Sequence, residues 1–169
     1  LGNLIVRGKS VARPVDNADG LNVTELKDRL AVDQNLSPHS DIVALMVHEH
    51  QVLVHNRITK AAYAVQQAHF YEAEMNRSFG EARGKRLDST TRRIQDAADD
   101  LIKALLLVDE AKLTEPISGG SGYAEKFSSR GPRDRQGRSL RDLDLQQRLF
   151  KYPCSYLIYS EAFDALPEP

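Results

Sequence analysis

From Asp41 to Ser78 the chain runs without a glycine or proline, between Pro38 on one side and Gly80 on the other. Apolar residues recur through this stretch at a period near 3.6, so it predicts a single helix of nearly forty residues, roughly 55 Å long at 1.5 Å per residue. Ser40-Asp41 supplies an N-cap pair, and Phe79-Gly80 closes the helix. A basic loop, Gly80 to Leu87, leads to a second cap at Asp88-Ser89. The helix that follows is expected to run to about Asp109, with Ile94, Ala97, Ala98, Leu101, Ile102, Leu105 and Leu106 in one continuous stripe. Two long amphipathic helices joined by a short loop form an antiparallel hairpin.

The flanks are shorter and more broken. Gly8, Pro14, Gly20 and Pro38 punctuate residues 1–38, which read as an irregular arm with one short helix near Val23 to Leu30. After Pro116 come Ser118-Gly119-Gly120-Ser121-Gly122, a short helix from Tyr123 to Ser129, and an exposed loop from Arg130 to Arg138. Ser139 to Phe150 and Ser155 to Leu166 read as two further helices separated by Pro153. The expected fold is therefore all-α: one helical domain over 1–169, with an arm (1–38), a hairpin (39–110) and a region of loops and short helices (111–169). The start at Leu1-Gly2-Asn3 and the end at Pro167-Glu168-Pro169 read as cuts in a longer polypeptide.

Composition narrows the chemistry. The single cysteine, Cys154, excludes an internal disulfide, a CxxCH haem attachment and a cysteine zinc cage within these residues. No apolar run approaches the ~18 residues of a membrane span. A net charge of −1 is not that of a nucleic-acid binder, although Lys126 to Lys151 is locally basic. Within it, Arg133, Arg135, Arg138 and Arg141 are candidates for docking a partner's acidic face. Ser-Gly-Gly-Ser-Gly lacks the Gly-Lys-Ser/Thr ending of a phosphate loop.

The long helix carries the residues of most interest. On a helical projection Glu49, His50, Asn56 and Arg57 fall on the same broad side as Val43, Leu45, Met46, Leu53, Val54, Ala61 and Val65. Glu49 stacks with Asn56 and His50 with Arg57, in two polar columns at i,i+7. Two readings fit: Glu49 and His50 hold a cofactor or act as acid and base, or the columns are a satisfied polar network that sets helix register. Neither long helix has the Glu-x-x-His of carboxylate-bridged di-metal bundles. His48 and His50 diverge by about 200° and cannot share one ion, whereas His48 and His55 form a surface pair. Cys154 reads either as a thiol at a helix start or as a small buried apolar group.

Two stretches carry a resemblance. One is Pro38-His39-Ser40-Asp41 through Met46-Val47-His48-Glu49-His50-Gln51. The other is Arg130-Gly131-Pro132-Arg133-Asp134, through Arg138-Ser139-Leu140-Arg141-Asp142, to Tyr152-Pro153-Cys154-Ser155-Tyr156 and Ser160. Together they resemble the C-terminal portion of a family of exported bacterial proteins whose upstream half commonly carries a c-type haem motif. The resemblance implies a periplasmic or secreted redox context, with this piece packing beside a haem domain in the remainder of its own polypeptide. It also implies that any haem c is attached outside these residues, with His50 a candidate axial ligand. The rival expectation is a non-catalytic protein–protein interaction module. A weaker third is a hydrolase or metal enzyme using Glu49 and His50.

Overall fold

The computed structural model describes residues 41–169, together with residues 6–7, 10–11 and 31. The chain divides into two units, residues 1–41 and 42–169. In the first, strands β1 (Val6–Arg7) and β2 (Ser10–Val11) pair antiparallel, with Val6 opposite Val11 and Arg7 opposite Ser10. The expected helix at Val23 to Leu30, and the Ser40 half of the cap pair, lie outside the described residues.

The second unit is all-α. Helix α1 spans Ile42–Ser78 and α2 spans Asp88–Leu105, packed against one another as the expected hairpin. Three short elements follow: α3 (Tyr123–Ser129), a single 3-10 helix (Tyr156–Tyr159) and α4 (Glu161–Asp164).

The core row of α1 is Val43, Val47, His50, Val54, Ile58, Ala61, Val65, Ala68, Glu72 and Asn76. Its spacing of three and four residues keeps one narrow face against α2. Opposite it α2 buries Thr90, Ile94, Ala97, Leu101 and Leu105, while Ile102 and Leu106 are exposed, so the buried stripe is narrower than the apolar one. Alanines at 61, 68 and 97 occupy the middle of the hairpin. At the loop end the fit is polar: Glu72 Oε1 accepts the Leu87 N–H at 2.7 Å, and Asn76 Nδ2 donates to the Lys85 carbonyl at 2.8 Å. At the open end the C-terminal segment adds Phe127, Leu149, Phe150, Tyr156 and Leu157 to the core, and Phe150 is fully buried.

Three expected helices change form, each for a local reason. Residues 139–150 fold as a tight hairpin-like turn with a bridge between Leu143 and Phe150. Short polar side chains take the backbone donors that a helix would use, which is how Ser and Asp compete with helical bonding. Asp144 Oδ1 accepts from the Gln146 and Gln147 amides, Asp142 Oδ2 from the Ser139 amide, and Ser139 Oγ from the Arg141 amide. The last helix is cut in two because Ser155 and Ser160 each begin a new element, their Oγ atoms accepting from the Leu157 and Phe163 amides. Helix α2 stops at Leu105, four residues short of Asp109, where Leu107 and Asp109 adopt left-handed φ values of 55° and 67°.

Phe150 joins the C-terminal segment to the hairpin, so Phe150→Ala is expected to lower the unfolding free energy by ~3–5 kcal/mol. Urea unfolding followed by far-UV circular dichroism measures it. A loss under 1 kcal/mol would mean that the segment packs independently of Phe150.

Candidate functional site

His50 is the one polar residue in the first half of the α1 core row, and the C-terminal segment is built around it. Its Nε2 lies 2.8 Å from Ser155 Oγ, and its ring meets Phe150 edge-on at 4.7 Å between centroids. Ser155 is fully buried, and its oxygen also accepts the Leu157 amide, while its own N–H donates to the Leu105 carbonyl at 2.7 Å. The hydroxyl proton is therefore free to point at His50 Nε2, which matches a neutral imidazole. Burial pushes the His50 pKa down to about 4. A serine and a histidine at this distance have the spacing of a nucleophile and its base. This serine, however, is closed off from solvent and caps a helix, and that makes the pair a structural bond.

On its other side His50 borders an open groove of about 540 Å³ between α1 and the turn after α2. Leu45, Met46 and Leu53 line one wall, Leu107, Val108 and Leu149 the other. Glu49, Asp109 and Glu110 bring three carboxylates to it, and no lysine or arginine lines it. Burial raises the Glu110 pKa, partly offset by the Leu149 amide and Arg148. Leu45 and Leu53 are half exposed.

The two polar columns separate. Glu49 and Asn56 are exposed, with Glu49 at the groove. Arg57, below His50, reaches across to Asp100 of α2 at 3.4 Å, beside the shorter Lys60–Asp100 bridge at 2.7 Å. Exposed pairs of this kind add little stability. His48 and His55 are exposed, His69 approaches Arg86, and His39 lies outside the described residues. Among the described residues no cluster of three His, Cys, Asp or Glu side chains is placed to hold a metal ion. Burial raises the Cys154 thiol pKa, the opposite of nucleophile activation. Axial ligation through His50 Nε2 would have to displace the Ser155 hydroxyl.

The four arginines named from the sequence divide by what they touch. Arg133 donates to the Gly137 and Ser128 carbonyls and pairs with Asp142 at 3.2 Å. Arg138 pairs with Asp134 at 2.7 Å, closing the same loop. Arg141 lies over the rings of both Phe127 and Tyr156, 4.9 and 4.6 Å from their centroids. Arg135 is exposed. Two of the four therefore shape the loop itself, and a third packs on the aromatic core.

Ser155 and Phe150 were not singled out by sequence reasoning, since their partners lie about a hundred residues upstream. Glu72 and Asn76 could have been found by continuing the three-and-four spacing of the core row. Comparison with family models, curated proteins and solved structures gives no match. No described helix is long and apolar enough to cross a membrane.

The depressed His50 pKa sets a pH dependence. The unfolded chain binds a proton near the ordinary value of 6.5 and the folded chain only near 4, so stability falls as the pH drops through that window. The wild type is expected to lose on the order of 2 kcal/mol relative to His50→Gln between these limits, allowing for solvent on the groove side. Chemical denaturation at a series of pH values measures the difference, and parallel curves would show that His50 is not the group responsible.

Proposed function

We propose that residues 42–169 form a non-catalytic helical interaction module whose groove beside His50 receives an apolar segment of a partner polypeptide with basic flanks. One observation supports this reading above the others: the groove combines exposed leucines with three carboxylates and no opposing cation. Apolar walls supply affinity for buried side chains, and a rim of one sign selects the charge of the flanks. Catalysis is the less supported reading, because His50 is committed to a buried serine and Cys154 is not activated.

A redox context is a second reading, favoured by a neutral imidazole beside Met46 on an apolar wall. In it this piece would shape the surroundings of a haem c attached outside these residues, with His50 the residue that would hold the iron in place of its bond to Ser155. The resemblance to exported haem proteins offers a partner for either reading, a haem domain in the same polypeptide.

Fluorescence anisotropy with a labelled Leu/Lys amphipathic peptide tests the groove. Binding is expected to weaken at least tenfold, about 1.4 kcal/mol, in Leu53→Ala, and to weaken with added salt. A Leu/Glu peptide binding equally well would sink the idea. Titration with haemin separates the second reading: a Soret shift lost in His50→Ala would favour it, and identical spectra would remove it.

A further inference from the structure

Helix α1 has a second apolar row, on the side away from α2 and meeting the groove only at Leu45. Leu45, Val52, Tyr63 and Phe70 are 55%, 42%, 63% and 62% exposed. At 100° per residue they fall within roughly 20° of one another, opposite the core row. Between them lie Asn56 and Thr59, and this sector from Leu45 to Phe70 holds no formal charge. The outer surface of α2 has the ordinary composition of a solvated helix, with Arg92, Arg93, Asp96, Asp99 and Lys103. An exposed face rich in aromatics and depleted of charge has the composition of an interface core.

The row also reads the same from either end, with spacings of seven, eleven and seven residues. That property suits an antiparallel two-fold interface, in which residue i meets residue j while j meets i. We propose that this face is where a second copy of the chain docks, with the two α1 helices antiparallel. Leu45 then faces Phe70 of the other copy, Val52 faces Tyr63, and Asn56 faces Thr59. Each large ring meets a smaller aliphatic side chain, as close packing requires. A parallel pair would instead set ring on ring and Val52 on Val52. The flanking positions, Glu49 with Gln67 and His48 with Gln66, bring no like-charge pair together. Antiparallel docking also places the two C-terminal segments at opposite ends. A contact confined to one helix face is small beside the ~1,200–2,000 Å² of stable interfaces, and the expected dimer is a weak one, with a Kd on the order of micromolar.

Cysteine pairing in the whole chain, on a Cys154→Ser background, tests orientation as well as association. Antiparallel docking places position 52 against 63, whereas two copies of position 52 stand about 16 Å apart along the axis. A disulfide bridges Cα atoms only about 4.4–6.8 Å apart. Mixing Val52→Cys with Tyr63→Cys is therefore expected to give a cross-linked dimer that neither variant forms alone. Light scattering of the uncross-linked chain should show the mass doubling from micromolar to submillimolar concentration. Phe70→Glu should abolish the doubling with an unchanged far-UV spectrum. A monomer mass throughout, or cross-linking of either variant by itself, would overturn the proposal.

Discussion

Ser155 ties the C-terminal segment to the hairpin through two bonds and starts the segment's own 3-10 helix with a third. Its N–H takes the Leu105 carbonyl at the end of α2, its hydroxyl meets His50 of α1, and the same oxygen starts the 3-10 helix. The segment after α2 has few long elements of its own. Its position depends on this residue and on the Phe150, Tyr156 and Leu157 side chains packed around it. The groove exists because the chain leaves α2 there and turns back past His50.

The same logic governs the whole α1 core row. Its polar members each meet a group that secondary structure leaves over: His50 a capping serine, Glu72 an orphan amide before α2, Asn76 a loop carbonyl. Such bonds add little net stability when made, yet losing one partner strands a buried polar group. Among the side-chain nitrogens and oxygens of the described residues, only Asn76 Oδ1 is buried without a partner. Polar residues thereby fix the axial register of a hairpin whose central alanines would allow the helices to slide.

The hairpin was legible because its evidence is local, an unbroken helical period and a Gly-bounded loop, although the expected cap at Asp88-Ser89 falls one residue late: Leu87 stands at the N-cap of α2 with no side-chain bond. The groove was legible only in half. Glu49 and His50 could be placed on one side of a helix, but the broad apolar face concealed that Leu45 and Leu53 stay exposed while Val47 and Ile58 are buried. Burial on a long helix depends on which partners reach it, and α2 covers only a narrow strip. Residues 139–166 misled for another reason. Their apolar pattern suits a helix, but Ser139, Asp142, Asp144, Ser155 and Ser160 bond the backbone locally. Period alone does not weigh that competition.

The left-handed residues at the groove carry a consequence of their own. Leu107 at φ 55° holds a conformation that costs a side-chain-bearing residue roughly 1–2 kcal/mol and costs glycine almost nothing. Leu107 also forms part of the groove wall. A glycine there would relax the backbone and remove the wall in the same step. The strain at Leu107 is therefore set against a side chain that packs on the core and walls the groove at once, so one residue fixes both the turn after α2 and the shape beside it.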